Sequence, residues 1–186
     1  MGTAVIVLIL LVGAAGVAIY NRLIRGRNRV DTAWSDIDVQ LQRRHDLVPQ
    51  LVKAVDHYAR YEKATLEAVT ELRAEAIRAA DVRTRGTAEE ALSAGVERLL
   101  VLAEDYPDLK ANENFLALQK ELVETEDYLQ FARRYYNGSV RDYNTMTESV
   151  PSNIVAGMFG FGTRDFFQKT SDEAANVPLA RFGGVE

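Results

Sequence analysis

The stretch Ala33–Val55, AWSDIDVQLQRRHDLVPQLVKAV, carries apolar residues at helical spacing around a block of charge and a proline. The apolar positions step alternately by three and four residues, the seven-residue coiled-coil pattern of helices that pack side by side. The pattern runs on to Leu72, and no glycine interrupts it up to Thr84. It predicts one helix that reaches to about residue 81. The predicted apolar seam consists of Val30, Trp34, Ile37, Leu41, Val48, Leu51, Val55, Tyr58, Val69 and Leu72.

Pro49 lies in the middle of this predicted helix. A proline inside a helix has no N–H for the carbonyl four residues earlier, here that of His45, and costs about 3 kcal/mol. The undisturbed apolar spacing favours a kinked but continuous helix. Alternatively, one helix ends at His45 and a second begins with Asp46 as its N-cap and Pro49 in its first turn.

The N-terminal stretch MGTAVIVLILLVGAAGVAIYN, residues 1–21, contains no charged side chain. Roughly 20 helical residues at about 1.5 Å each cross a hydrocarbon layer of about 30 Å, so we expect a transmembrane anchor here. A cleaved signal peptide normally begins with Lys or Arg, which this stretch lacks, although Gly16 and Ala18 are small enough for a cleavage site. A buried core helix is disfavoured because the stretch is apolar all round.

Four arginines follow the apolar stretch, and no basic side chain precedes it. Because positively charged flanks stay in the cytoplasm, we expect a single-pass protein of the cell's inner membrane with its N-terminus outside and the rest cytoplasmic. The long helix would then extend on the order of 75 Å from the bilayer. The arginines can contact anionic lipid headgroups; they are Arg22, Arg25, Arg27 and Arg29.

Two further helices are predicted beyond residue 81. Gly86 is expected to end the long helix, and Thr87 with Glu90 has the spacing of a capping box for a shorter helix that ends before Pro107. One face of that helix carries Leu92, Val96, Leu99 and Ala103. The next helix is capped by Asn112 and closed by Pro151. Its seam consists of Phe115, Leu118, Leu122, Thr125, Leu129, Ala132, Tyr136, Ser139, Tyr143, Met146 and Val150.

The C-terminal residues 151–186 are rich in glycine and phenylalanine, and a short helix is expected around residues 165–174 between loose segments. This segment could dock on the bundle, dock on a partner, or cap the bundle's own core. The expected fold is therefore all-α: a single N-terminal transmembrane helix followed by an antiparallel helical bundle with two long helices. The expected divisions are an anchor at 1–21, a bundle at 22–150 and a Gly/aromatic segment at 151–186.

The composition supplies little for catalysis. The net charge of −5 gives no general attraction to nucleic acid, and the absence of cysteine excludes thiolate metal sites. His45–Asp46 is like the pair of a metal-dependent phosphohydrolase, but the other histidine, His57, lies roughly 120° away around the helix. We interpret the pair as a surface dipeptide. We expect no catalytic residue, no cofactor, no metal and no small-molecule substrate.

Charged residues on the seams are more informative. Arg44 and Glu62 occupy positions where the seam of the first helix calls for an apolar side chain. One hypothesis is that they pair across the bundle and fix its register, at some cost in stability. The alternative is that these long side chains bend to the surface. The candidate register residues are Arg44, Glu62, Glu121, Glu126 and Arg133.

Four long motifs resemble the LemA family of bacterial membrane proteins: residues 20–52 (YNRLIRGRNRVDTAWSDIDVQLQRRHDLVPQLV), 106–122 (YPDLKANENFLALQKEL), 125–145 (TEDYLQFARRYYNGSVRDYNT) and the ending GMFGF…FF…VPLARF. The first signature is carried by Asn21, Trp34, Asp38, Gln40, Leu41, Arg44, Asp46, Leu47, Pro49 and Leu51. The second is carried by Pro107, Asp108, Leu109, Asn114, Phe115, Gln119 and Glu121. Asp127 departs from the family, which more often has Asn there. The resemblance implies a membrane helix, an external N-terminus and a helical bundle; no enzymatic activity is established for the family.

We therefore expect a non-enzymatic, membrane-anchored scaffold or adaptor that presents a cytoplasmic bundle for self-association or for binding other proteins. The alternative is an accessory or regulatory subunit of a membrane protease or signalling system. The expected partners are membrane lipid, through the N-terminal helix, and either other proteins or further copies of the chain.

Overall fold

The computed structural model describes residues 1–59 and 61–167, which form helices and connecting segments without a strand. The six helices are α1 (Gly2–Tyr58), α2 (Lys63–Arg78), α3 (Val82–Ala103), α4 (Pro107–Lys110), α5 (Glu113–Glu148) and α6 (Ser152–Phe159). The two long helices are α1 and α5. This confirms the prediction of an all-α fold, with one apolar N-terminal helix that leads into a helical bundle.

The first part of α1, up to residue 15, is exposed along its whole length. Its large apolar side chains are more than half exposed, for example Leu8 at 61% and Leu11 at 63%. Among the described residues, α1 is the one helix long and apolar enough to cross a membrane. The apolar part continues into the bundle without a break, because α1 is a single helix of 57 residues.

The bundle is built on α1 and α5, which lie side by side and run in opposite directions. At one end a Cβ atom on Gly26 would lie 2.5 Å from Met146 Cε, and further along the rings of Trp34 and Tyr136 are 5.5 Å apart. Increasing residue numbers on α1 therefore meet decreasing numbers on α5. The buried residues between them include Val30, Ala33, Ile37, Leu41, Leu129, Tyr136, Val140 and Tyr143.

A second hairpin, α2 with α3, covers one face of the distal half of this pair. The two helices approach closely at Gly95, where a Cβ atom would lie 2.8 Å from Leu72 Cδ1. A second core cluster lies beneath this hairpin, and it includes Val48, Leu51, Val55, Leu66, Val69, Leu92, Leu99, Leu109 and Phe115. The other face of the α1–α5 layer keeps large apolar side chains exposed.

The prediction of one helix to about residue 81 is wrong. α1 ends at Tyr58, and α2 begins at Lys63 after a turn in which Glu62 N donates to Ala59 O at 3.0 Å. The apolar spacing continues through this turn, so periodicity alone did not mark it. Folding α2 back onto α3 buries Leu66 and Val69, which a straight extension would leave in water. The part of α1 beyond residue 21 is therefore about 55 Å long rather than 75 Å.

The predicted stop at Gly86 is also wrong, because Gly86 is buried inside α3. The helix begins earlier, with Asp81 as its N-cap: the carboxylate accepts hydrogen bonds from Thr84 N at 2.9 Å and Arg83 N at 3.0 Å. The bonds from Thr84, followed by that from Arg83, lower the pKa of Asp81 below its usual value. The predicted apolar face of this helix is confirmed, since Leu92, Val96, Leu99 and Ala103 are all buried.

The boundaries of α5 follow the prediction closely. Asn112 caps the helix by accepting from Asn114 N at 3.0 Å and Phe115 N at 3.2 Å. The helix ends at Glu148, shortly before Pro151. Most of the predicted seam is buried or half-buried, but Val150 lies past the helix end and is 79% exposed. In α1, the helix is continuous through Pro49, so the alternative of two separate helices is wrong.

The C-terminal segment differs from its prediction. Residues 152–159, expected to be loose, form α6, while residues 165–167, expected to begin a helix, have no regular structure. Residues 168–174 of that predicted helix lie outside the described residues. Two asparagines of α5 hold this irregular segment: Asn144 exchanges paired hydrogen bonds with the backbone of Arg164, and Asn137 does the same with Phe167, at 2.8–2.9 Å. Seven helical residues and three extended residues both span about 10 Å, so the two asparagines match the repeat of an extended chain.

Candidate functional site

The middle of the bundle contains charged side chains that are shielded from solvent. Arg44 and His45 are neighbours on α1, and Glu89 reaches them from α3. The exposed fractions of the Arg44 and His45 side chains are 4% and 8%, and that of Glu89 is 0%. A charge at this depth is strongly unfavourable unless it is paired and hydrogen-bonded. The partners of these groups therefore matter for the stability of the fold.

Glu89 joins both residues of α1. One carboxylate oxygen, Oε2, lies 3.3 Å from Arg44 Nη1, and the other, Oε1, lies 2.7 Å from His45 Nε2. Ser93, one turn further along α3, accepts a hydrogen bond from Arg44 Nη2 and donates to the Glu89 carbonyl at 3.1 Å. Because one carboxylate bonds two different side chains, a shift of α3 along α1 would break at least one of these bonds.

Arg44 also faces α5. Its Nη1 lies 3.7 Å from Glu126 Oε2, and the other carboxylate oxygen of Glu126 lies 3.9 Å from Arg133 Nη1. Burial lowers the pKa of Arg133, and the negative charge of Glu126 opposes this shift. The Arg133 guanidinium also lies 5.1 Å from the centre of the Phe167 ring. We call the following six residues the buried polar cluster: Arg44, His45, Glu89, Ser93, Glu126 and Arg133.

The proline of α1 has a partner on α2. Pro49 leaves the carbonyl of His45 without its usual helical donor. The Nε of Arg73 donates a hydrogen bond to that carbonyl at 2.7 Å. The proline thus creates an acceptor on α1 that a side chain of α2 uses, which connects the second hairpin to the same turn of α1.

The chemistry of the buried polar cluster suits helix pairing better than substrate turnover. A histidine beside a carboxylate is a possible acid–base pair, but such a pair needs a cavity through which a substrate can reach it. Here helices cover the pair, and a large open cavity of about 920 Å³ lies elsewhere, lined by Lys53, Asp56, Asn112 and others. Within residues 1–59 and 61–167 there is no group of three or more His, Asp or Glu side chains placed to hold a metal ion.

A different surface carries exposed aromatic side chains. Tyr128, Phe131 and Tyr135 lie on neighbouring turns of α5 and are 58%, 63% and 55% exposed. Val39 of α1 is 64% exposed and lines the same shallow groove. We call these four residues the aromatic patch. It lies on the face of the α1–α5 layer that the α2–α3 hairpin leaves uncovered.

Comparison with known proteins identifies the family. The model of the LemA family matches residues 33–182, most of the chain. The chain belongs to the LemA family. This confirms the resemblance seen in the sequence motifs. The matched region includes both the buried polar cluster and the aromatic patch.

Individual LemA-family relatives are distant but cover most of the chain. Magnetosome protein MamQ 2 of Paramagnetospirillum magneticum is 24% identical, over 86% of this chain and 68% of that protein. Protein LemA of Metamycoplasma hominis is 25% identical, over 84% of this chain and 72% of that protein. Magnetosome protein MamQ of Magnetospirillum gryphiswaldense is 24% identical, over 86% of this chain and 68% of that protein.

The candidate register residues of this LemA-family chain have different positions. Arg44, Glu126 and Arg133 meet in the buried polar cluster. Glu121 is exposed and lies 4.0 Å from Arg43 instead. Glu62 is at the N-cap position of α2, past the turn. The segment of α1 from Arg44 to its end rises about 21 Å, which separates Glu62 from the cluster. That Arg44 sets the register stays a prediction.

The sequence interpretation missed the central residue and misjudged another. Glu89 is not among the candidate register residues, although it lies three residues before Leu92 and so continues the alternating spacing of the α3 seam. That position was the available signal. The prediction of a surface dipeptide is wrong for His45, which is 6% exposed, and right for Asp46, which is exposed. Nothing in the sequence marks Ser93 or Arg73 as a partner of this cluster, because both are ordinary polar residues next to a seam.

Proposed function

We propose that this LemA-family protein is a non-enzymatic membrane-anchored scaffold, and that it self-associates through the aromatic patch. The patch carries the proposal. Tyr128, Phe131 and Tyr135 are more than half exposed and share one shallow groove with the exposed Val39. Aromatic side chains are enriched at the centres of protein interfaces, where they contribute much of the binding free energy.

A second copy of the chain is the occupant that we propose for the patch. Copies anchored by residues 1–21 of α1 would stand side by side on one membrane, in the same orientation. A two-fold axis along the membrane normal then brings the same surface of each copy together at the same height. Val39 lies 18 residues beyond the end of the apolar stretch, about 27 Å along the helix, so the patch of every anchored copy would lie at this distance along α1 from the membrane. Confinement to one membrane also raises the effective concentration of the copies.

The charges around the patch are compatible with such self-pairing. An acidic residue, Asp36, lines the groove, and a basic residue, Arg134, lies 4.6 Å from the centre of the Phe131 ring. Because both signs are present on one surface, a two-fold arrangement can place Asp36 of one copy near Arg134 of the other. The buried polar cluster supports this role by holding α1 and α5, which carry the patch, in a fixed register.

We place the bundle in the cytoplasm and the N-terminus outside the inner membrane. Arg22, Arg25, Arg27 and Arg29 lie directly after the apolar stretch, and such flanks remain cytoplasmic. The enclosure of the His45–Glu89 pair supports a non-enzymatic role. Labelling of a Tyr61→Cys variant with a membrane-impermeant maleimide tests the orientation. We expect labelling only after the membrane is opened, and labelling of intact cells would contradict it.

Cysteine cross-linking in native membranes tests self-association. The chain contains no cysteine, so each variant carries a single thiol. We expect Tyr135→Cys to form a disulfide-linked dimer under mild oxidation. The matched control is Val101→Cys on α3, which is 61% exposed and lies outside the patch. We expect little dimer from the control, since its surface is not at the proposed interface.

A substitution that introduces a charge into the patch provides a second test of self-association. Phe131→Asp should reduce Tyr135→Cys cross-linking at least several-fold, because it places a desolvated charge in the interface. Val101→Asp should leave the yield unchanged. If Tyr135→Cys gives no dimer, or if Val101→Cys gives as much, self-association through the patch is wrong. If the thiol instead links to one foreign protein in stoichiometric amount, the alternative of an accessory or regulatory subunit of a membrane protease or signalling system replaces it.

A further inference from the structure

We propose that α6 is a second membrane contact: it lies at the bilayer surface and places Ile154, Met158 and Phe159, together with Val150 just before the helix, among the lipid acyl chains. The proposal rests on the anchoring of α1 proposed above. It adds a lipid-binding surface that follows α5, and it assigns a role to the apolar helix α6.

The position of α6 along α1 is the first observation. Its Phe159 ring lies 4.8 Å from the ring of Tyr20, and Phe161 just after it lies 5.5 Å from the same ring. Leu23, Ala156 and Phe161 form one small apolar cluster, and Tyr20 packs against it. The uncharged stretch of α1 ends at residue 21, so α6 packs at the level where α1 would leave the hydrocarbon layer.

The exposed face of α6 is the second observation. Val150 is 79% exposed, Ile154 61%, Met158 75% and Phe159 60%. Ile154 and Met158 are four residues apart and so lie on one helix face, while Ala156 faces α1 and is buried. No charged side chain occurs from Ser149 to Thr163. Three large apolar side chains on a helix of eight residues, with Val150 just before it, are unfavourable in water but suit the interfacial region of a bilayer.

The basic residues on the bundle side of α6 are the third observation. Arg22, Arg25 and Arg29 of α1 line a cavity of about 560 Å³ with Arg141 of α5, beside a single carboxylate, that of Asp142. Arg27 lies over the Phe161 ring, with Cζ 5.4 Å from its centre. Basic side chains at this level are placed to contact lipid phosphates, while the apolar face of α6 reaches past them. Tyrosine rings such as that of Tyr20 are common at the same depth.

The turn after α6 is the fourth observation. Gly160 has φ +70°, the left-handed conformation that glycine adopts without strain, and Phe161 N donates to Ala156 O at 2.9 Å. The chain therefore reverses at once and returns to the bundle, where Asn144 and Asn137 hold it. The chain thus leaves the end of α5, forms α6 beside the end of the apolar stretch of α1, and then returns along α5. At this level a bilayer surrounds α1, so lipid is the partner that continuity with the anchor predicts.

Spin-label accessibility in lipid vesicles tests the proposal on the full-length protein. Single cysteines are introduced by Met158→Cys on α6, Leu11→Cys in the apolar part of α1, and Val101→Cys on α3. All three original side chains are apolar and 61–75% exposed, so labels there should not disturb packing. Collision rates with oxygen, which concentrates in lipid, and with a water-soluble nickel complex are then compared for each label.

We expect the oxygen-to-nickel collision ratio at Met158 to exceed that at Val101 several-fold and to approach that at Leu11. A ratio at Met158 equal to that at Val101, with Leu11 in lipid, overturns the α6 proposal and leaves the anchor intact. A label at Met158 that is shielded from both reagents shows a protein partner on α6 and also overturns it. Water-like ratios at both Leu11 and Met158 overturn the anchor and the α6 contact together.

Discussion

Removal of the Glu89 carboxylate tests whether the buried polar cluster determines the stability of the bundle. The Glu89→Ala substitution deletes the acceptor for Arg44 and for His45, at 3.3 Å and 2.7 Å. Glu89 is completely buried, so water cannot replace it without entering the core. Arg44 keeps only Glu126 as an ionic partner, at 3.7 Å, with Ser93 as a hydrogen-bond acceptor.

The expected loss is large for a single substitution. Each hydrogen bond to a charged group contributes about 1.5–3 kcal/mol, so two of them contribute about 3–6 kcal/mol. Breaking a buried ion pair by removing one partner independently gives about 3–5 kcal/mol. We therefore expect Glu89→Ala to lower the free energy of unfolding by about 3–5 kcal/mol. The neighbouring Glu90→Ala is the matched control: Glu90 is exposed, and its loss should change stability by less than about 0.5 kcal/mol.

Urea unfolding of the full-length protein in mild detergent, followed by far-UV circular dichroism, measures these differences. A double variant, Arg44→Leu with Glu89→Leu, separates a missing partner from a missing cluster. Replacing a buried ion pair by apolar side chains is often neutral or stabilising, so the double variant should be more stable than Glu89→Ala. If Glu89→Ala behaves like Glu90→Ala, or if Arg44→Leu alone leaves folding and association unchanged, the cluster does not fix the register.

Three further outcomes are expected from the same unfolding assay. Arg73→Met should cost about 1.5–3 kcal/mol in the natural chain but less in a Pro49→Ala background, where the helix itself supplies a donor to the freed carbonyl; equal costs in both backgrounds would contradict the pairing. Burial raises the pKa of Tyr136, so its stabilising effect is complete below pH of about 10 and is lost as the pH rises through the higher folded-state pKa; Tyr136→Phe should weaken this alkaline unfolding, and an unchanged profile would argue against burial as its cause. Gly138→Ala, with open space around the new Cβ, should gain about 0.5–1 kcal/mol, whereas Gly95→Ala should lose about 1 kcal/mol because overpacking against α2 exceeds the gain in helix propensity; similar gains at both sites would refute the close approach.

Several elements could be predicted because their signals are local. The apolar run of α1, the Asn112 cap of α5 and the Pro107 boundary each depend on residues close together in sequence. The seam of α5 is likewise a matter of spacing, and its buried residues follow it closely. Such features can be predicted without knowing what packs against the helix. An apolar face has the same spacing whether lipid or another helix covers it, and a cap depends only on neighbouring residues.

The candidate site was only partly predictable for the opposite reason. Arg44 could be singled out as a charge on a seam, but its main partner, Glu89, is 45 residues away on a hairpin whose position the sequence pattern did not predict. The burial of His45 depends on the same hairpin. The extended segment at 161–167 is held by Asn137 and Asn144, whose seven-residue separation matches a backbone repeat only once the segment lies along α5.

The amino-acid sequence by itself determined the helical class, the apolar N-terminal stretch, most of the seams and the family, because periodicity and composition act within single elements. The tertiary structure decided where α1 ends, since the apolar spacing continues from α1 into α2 and the reversal of α2 depends on its packing against α1 and α3. It also decided which charges are buried, because burial depends on the helix that covers them, and a linear pattern contains no information about that helix.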